Sequence, residues 1–301
     1  MIILIETSEI YEEVKLIGFS LIDKKCDEFQ NFIHARDTNG NTLLNYAVMD
    51  DNYEFAKMLV EKYNACPLIL NSDFMNAILL AIMSNDIRIF RFLFEEYENS
   101  WISEDNDEIM SLCVARNCLE NLKYLLEKGF NPNAKYREAP MLIWATQSEN
   151  LEIVKLLVDS GADINSVNGE DETPLFKAAS FGLIRIVEYL LSRSENNVID
   201  KSSLSGYTPI YIASCYGYTD TVKLLLEHGA DMSIYSSDGK TALERAIQYG
   251  HTGVVQQLLN HQAKTGISKH KSKELLTFAN EINDATVKAE IIELINQHEV
   301  I

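Results

Sequence analysis

The sequence predicts an all-α solenoid of stacked helix–turn–helix units, and three observations carry that prediction. A motif recurs at intervals of 32 to 35 residues. One small residue holds a fixed place in each recurrence, and an apolar i, i+3, i+4 triad follows it. The clearest copy reads Thr173-Pro174-Leu175-Phe176-Lys177-Ala178-Ala179, then Gly182, then Val187, Leu190 and Leu191. The same order returns as Thr208-Pro209-Ile210, Ala213, Gly217, Val222, Leu225 and Leu226, and again as Thr241-Ala242-Leu243, Ala246, Gly250, Val255, Leu258 and Leu259. A period in this range marks units that bury their apolar faces only by stacking.

Composition fits an ordinary water-soluble chain. Hydrophobic residues make up 47% of the 301 positions and charged ones 24%, so disorder is not expected. The formal net charge of −19 comes from 45 acidic and 26 basic side chains. That balance disfavours nucleic acid, whose affinity rests on Lys and Arg neutralising phosphates, and disfavours anionic membranes. A protein partner with a basic or apolar surface fits better. Five cysteines without a Cys-x-x-Cys pair argue against a disulfide scaffold or a zinc site and favour a reducing compartment. The apolar start Met1 to Ile5 stops at Glu6 without a basic flank, too short for a signal peptide. No run reaches the ~18 apolar residues of a membrane span. A cytoplasmic monomer is therefore expected.

Taken in order, residues 1–36 read as two helices covering the end of the stack, with Ile10, Val14 and Ile17 at helical spacing and Phe29, Phe32 and Ile33 after them. A terminal unit must close one apolar face and keep the other wet, so it departs from the pattern. The frame then runs through Thr42, Asn76, Glu108, Pro140, Thr173, Thr208, Thr241 and Glu274. Five residues past these points stand Ala47, Ala81, Cys113, Ala145, Ala178, Ala213, Ala246 and Ala279, small side chains where neighbouring backbones must approach. Second helices carry the triads Phe90/Leu93/Phe94, Leu122/Leu125/Leu126, Val154/Leu157/Val158 and Val187/Leu190/Leu191. Gly129, Gly161 and Gly229 follow such stripes and suit left-handed helix ends. Thr173-Pro174 and Thr208-Pro209 place a capping hydroxyl before a proline suited to the first turn. Polar stretches such as Asp37-Thr38-Asn39-Gly40 and Ser236-Ser237-Asp238-Gly239 read as turns.

These residues resemble the ankyrin-repeat family. The carriers are Thr-Pro-Leu-x-x-Ala-Ala-x-x-Gly, the Val-x-x-Leu-Leu run, Gly161-Ala162-Asp163-Ile164-Asn165 and Gly229-Ala230-Asp231. The likeness is strongest over 135–268, weaker over 37–134, and in phase over 269–301. It implies units at 37–70, 71–102, 103–134, 135–167, 168–202, 203–235 and 236–268, with 269–301 as a C-terminal capping repeat. It also implies a projecting hairpin-like finger on each unit, and a concave face built from first helices and fingers. Two departures stand out: the unit framed on Asn76 lacks Thr-Pro and a closing Gly, and the fingers near Ser72 and Glu104 lack Asp-x-x-Gly.

No catalytic constellation emerges. The six histidines have no His-Glu-x-x-His spacing; His228 and His251 flank glycines and read as structural. Cys113 replaces the small buried residue, while Cys118 joins no ligand set. The acidic run Glu104 to Glu108 lacks the spacing and glycine of a calcium loop. Lys264 to Lys273 reads as a solvated basic loop. No metal and no cofactor are expected. Asn165 resembles an asparagine hydroxylated in some ankyrin proteins, although a role in bonding the turn backbone is the simpler expectation.

The resemblance turns the two positions before each break glycine toward the groove: Ser180/Phe181, Cys215/Tyr216 and Gln248/Tyr249. Trp144 and Tyr207 fall near this ladder. Trp and Tyr supply large contact area at low entropic cost, so Trp144, Phe181, Tyr207, Tyr216 and Tyr249 are the candidate partner-binding residues. The expected function is non-enzymatic protein binding. The alternatives are an adaptor or effector that recruits or inhibits a cellular or host protein, or a regulatory subunit of an enzyme. Abundant Asn, Ile, Lys and Glu fits an AT-rich genome and leaves delivery into a host cytosol open.

Overall fold

Threonine hydroxyls start four of the eight first helices among the described residues. The Oγ1 atoms of Thr42, Thr173, Thr208 and Thr241 accept the N–H groups of Asn45, Phe176, Tyr211 and Glu244 at 3.3, 3.1, 3.3 and 3.4 Å. Each satisfies one of the orphan donors of a helix N-terminus. Thr241 and Glu244 close a full capping box, Glu244 accepting from the Thr241 N–H at 2.8 Å. Asn76 does the same work without Thr-Pro, accepting from Ile78 and Leu79. Two frame points are not at a cap: Glu108 lies within Asn106–Ala115 and Glu274 within Ser272–Asn280.

The computed structural model describes residues 11–12, 33–84, 86–97, 106–193, 198–265 and 272–299. Most of the expected N-terminal helices, the tip of the acidic run at 104–105, the end of the Thr173 unit at 194–197 and the basic loop at 266–271 lie outside the described residues. Sixteen helices and one short hairpin make up the regular structure among them. They are α1 (Leu43–Met49), α2 (Tyr53–Tyr63), α3 (Ala77–Met83), α4 (Ile87–Tyr97), α5 (Asn106–Ala115), α6 (Leu119–Glu127), β1 (Lys135–Tyr136), β2 (Ala139–Pro140), α7 (Met141–Gln147) and α8 (Leu151–Asp159). There follow α9 (Pro174–Ser180), α10 (Ile184–Arg193), α11 (Pro209–Tyr216), α12 (Thr219–Glu227), α13 (Ala242–Gln248), α14 (Thr252–Thr265), α15 (Ser272–Asn280) and α16 (Ala285–Glu299).

The chain divides into two compact units, Met1–Phe130 and Asn131–Ile301. Inside each, consecutive helices pair as antiparallel hairpins, and like packs on like. In the first unit α1, α3 and α5 form one layer and α2, α4 and α6 the other. In the second, α7, α9, α11, α13 and α15 stack in one layer and α8, α10, α12, α14 and α16 in the other. This is the stacked architecture that the period implied.

The core sits between the layers. All eight small residues of the frame, from Ala47 to Ala279 and including Cys113, have no exposed surface. Burial pushes the Cys113 thiol well above its ordinary pKa, in keeping with a small apolar filler. In the triads Phe90, Leu93 and Phe94 are all buried, whereas Leu126, Val158 and Leu191 keep partial exposure. The i+4 position is buried in the units carrying Phe94, Leu226 and Leu259 and lies at the edge of the stripe in the other three. At the N-terminal side, Tyr11 is buried against Tyr46 and Phe55, with ring centroids 5.5 and 5.7 Å away. Its phenol donates to Asp50 at 3.2 Å.

The fingers depart from the hairpin expectation. Among the described residues only β1 and β2 pair as strands, Lys135 opposite Pro140 and Tyr136 opposite Ala139. Most of the other fingers are tight turns closed on a polar side chain five residues before the frame point. Asp37 accepts from Asn39 and Asn41 at 2.9 and 2.8 Å, Asn71 from Asp73 and Met75 at 3.0 and 2.9 Å, and Asn168 from Glu170 and Glu172 at 3.0 Å each. The side chain replaces the cross-strand acceptor, so no ladder is needed. Neighbouring fingers still join: Ser72 donates to the Asn39 carbonyl at 2.9 Å, Leu204 to that of Glu170 at 2.9 Å, and Ser237 to that of Ser205 at 3.2 Å.

Candidate partner-binding cleft

Helices α9 and α11 and the two fingers before them enclose a cleft of about 490 Å³. Phe181 enters it from the C-cap of α9, 48% exposed, and Tyr216 from the last turn of α11, 59% exposed. Tyr207 lies between them in the finger, its ring stacked 4.7 Å from that of Tyr211 and tilted by only 12°. Tyr218 completes the aromatic wall. Its ring lies flat over Gly182, where an added Cβ would come within 2.6 Å. The break glycine thus sets the depth to which the next unit's aromatic can settle.

Polar groups hold this wall in place. Buried Tyr211 carries Tyr207 on one side and accepts the Arg245 Nε–H at 2.8 Å on the other. Arg245 pairs with Asp238 and donates to the Gln248 side-chain Oε1 at 2.8 Å. Burial raises the Tyr211 phenol despite these partners, so it stays neutral at physiological pH. From α9, Lys177 pairs with Glu172 of the preceding finger at 2.6 Å, and Glu172 also accepts from the Asn168 amide at 2.7 Å. Both chains of that pair are largely buried, so each neutralises the other within the wall.

Of the five residues singled out from sequence, three meet here: Phe181, Tyr207 and Tyr216. Tyr249 stands one unit further on, at the C-cap of α13 and 54% exposed, with the Arg245 guanidinium 5.8 Å from its ring. Trp144 lies outside this cleft. It is half-buried, and its indole N–H donates to the Tyr136 carbonyl at 3.0 Å while the two rings meet edge to face. Trp144 therefore fastens the β1–β2 hairpin to α7. Sequence reasoning missed Tyr218, Glu170 and Glu172. For Tyr218 the signal was there: it follows a break glycine, as His251 does one unit later.

Asn165 is exposed, and its N–H donates to the Asp163 carboxylate at 2.9 Å. The turn-bonding role expected of Asn165 belongs to the Asp163 side chain. Among the described residues no group of three or more His, Cys, Asp or Glu could hold a metal ion, and no helix is long and apolar enough to cross a membrane. His228 caps its own helix through a 2.9 Å contact with the Leu224 carbonyl.

A groove on stacked helical hairpins, with turn fingers bonded edge to edge, defines a repeat-built recognition scaffold. Comparison with known proteins says which one. The family described as "Ankyrin repeats (3 copies)" matches residues 110–200, 142–235 and 175–270, and the single "Ankyrin repeat" matches 39–72. The chain belongs to the ankyrin repeat family, whose repeats serve as protein–protein interaction modules. It is 32% identical over 110 residues to the mouse ankyrin repeat and SAM domain-containing protein 6, covering 36% of this chain and 12% of that protein. It is 36% identical over 140 residues to the E3 ubiquitin-protein ligase hecd-1 of Caenorhabditis elegans, covering 46% and 5%. To the putative ankyrin repeat protein FPV031 of fowlpox virus it is 35% identical over 117 residues, covering 37% and 34%. The chain thus spans at most about a third of the length of these relatives, and the repeats are what it shares with them.

Proposed function

We propose that this protein binds a protein partner through the cleft walled by Phe181, Tyr207 and Tyr216, and that it does so without catalysis. The observation that carries the reading is the exposure of two large aromatics at adjacent units over a cleft. Such rings lose apolar hydration only when something covers them, and aromatics at the centre of a patch dominate binding energy at protein interfaces. Supporting it, the cleft wall is fixed before any partner arrives by the Tyr211–Arg245–Asp238 network and the bonded fingers. Preorganisation of that kind lowers the entropic cost of association.

The test is affinity capture from cell lysate with wild type beside a Phe181→Ser/Tyr216→Ser double variant, read by mass spectrometry. A specific partner retained by wild type and lost by the double variant, with unchanged thermal stability, is the expected result. A partner held equally by both would overturn the assignment of this cleft.

A further inference from the structure

We infer that the cleft receives a cationic side chain, arginine or lysine, from the partner; the inference rests on the partner-binding reading of the same site. Two features of the lining point to this chemistry. The walls supply Phe181, Tyr207, Tyr216 and Tyr218, whose ring faces carry partial negative charge and attract cations. The rim supplies Glu170, and among the described residues its carboxylate has no cationic partner. The one cation already present, Lys177, is occupied by Glu172 at 2.6 Å.

Glu170 is also held at its backbone. Its N–H donates to Asn168 at 3.0 Å and its carbonyl accepts from Leu204 at 2.9 Å. The carboxylate therefore projects from a fixed point beside the aromatic wall. The other occupants fare worse on physical grounds. An anion would meet the aromatic wall and the Glu170 charge. A purely apolar chain would cover Glu170 and strip its water without offering a hydrogen bond, which is costly for a charge. A guanidinium or ammonium satisfies the rings and the carboxylate together. The net charge of −19 adds long-range attraction for a basic segment.

The probe is a fluorescein-labelled glycine–serine peptide carrying two arginines, set against the same peptide with neutral citrulline in both places. Fluorescence anisotropy is read on the full chain. The arginine peptide is expected to bind about tenfold tighter than the citrulline one. Glu170→Gln and Phe181→Ser should each weaken the arginine peptide about threefold or more, while Glu188→Gln, at an exposed carboxylate on α10 outside the cleft, should leave it unchanged. Equal binding of both peptides, or no arginine binding up to roughly 1 mM, would overturn the cation. Arginine binding that ignores both Glu170→Gln and Phe181→Ser would also overturn it, by moving the contact to another acidic surface. If the captured partner is lost in the Phe181→Ser/Tyr216→Ser variant yet Glu170→Gln changes nothing, the cleft stands and only the cation fails.

Discussion

His251 donates its Nε2–H to the carbonyl oxygen of Cys215 at 2.9 Å, so a side chain from one unit satisfies the last turn of α11 in the unit before it. A carbonyl only accepts, which puts the ring proton on Nε2. The same imidazole lies over Gly217, where an added Cβ would stand 2.6 Å from Nδ1. Tyr216, which lines the cleft, stands between Cys215 and Gly217 in the chain.

His251→Ala should therefore lower stability by about 1–2 kcal/mol, the cost of a lost bond and an unpaired carbonyl. Gly217→Ala should cost more, because it meets both the ring and a left-handed φ of 77°. Urea unfolding followed by circular dichroism measures both. Unchanged midpoints would show that this contact does not hold the units together.

Asp200 should be improvable. Its carboxylate accepts from the Asp231 N–H at 2.9 Å, but burial and the charge of Asp231 raise its pKa above the ordinary carboxylate value. The folded state thus binds this proton more tightly than the unfolded chain. Stability falls as pH rises through the unfolded and then the folded value. Two repeats earlier Asn133 fills the same role without a charge, accepting from the Asp163 N–H at 2.7 Å and donating to the Gly161 carbonyl at 3.1 Å. Asp200→Asn should stabilise the protein at neutral pH by on the order of 1 kcal/mol, and the gain should shrink at acid pH. Unfolding curves at pH 7 and in the acid range check both signs; a loss at pH 7 would contradict the account.

Phe74 carries backbone strain. It adopts φ 60° at 80% exposure, two residues before a frame point, where the fingers framed on Thr42, Thr208 and Thr241 have Gly40, Gly206 and Gly239. Left-handed backbone costs a side-chain-bearing residue roughly 1–2 kcal/mol. Phe74→Gly should raise the unfolding midpoint by the equivalent of about 1 kcal/mol, and a lowered midpoint would mean that the ring has a packing role.

Cys215 lines up with the groove in sequence but should react slowly. Burial pushes its thiol up to about 11, and the thiolate is the reactive form. Iodoacetamide labelling at pH 8 with peptide mapping should leave Cys215 largely unmodified in the native protein and modify it once urea is added. Rapid native labelling would show that α11 opens.

Much of this was legible in the chain because the relevant chemistry is local. A capping hydroxyl acts three residues ahead and a buried alanine recurs at one offset, so Thr173, Thr208 and Thr241 and all eight small positions could be placed from spacing. Glu108 and Glu274 carry no such cap and fall within their helices. The frame was carried by Cys113 and Ala279, and nothing at 108 or 274 fixes where the helix begins. Trp144 looked like a groove aromatic because its acceptor, the Tyr136 carbonyl, comes into reach only when β1 and β2 pair. Tyr218 and Glu170 belong to neighbouring units and meet in one cleft only through stacking. Their shared role is a tertiary fact that no single repeat states.

The central claim is that the α9–α11 cleft is where the partner sits. Photo-crosslinking tests it most directly, with p-benzoylphenylalanine placed at 181, at 216 and, as a control, at exposed Glu188 on α10. The account predicts that one captured protein crosslinks from 181 and 216 and not from 188. Crosslinking from 188 alone would put the partner on the second-helix layer and contradict it.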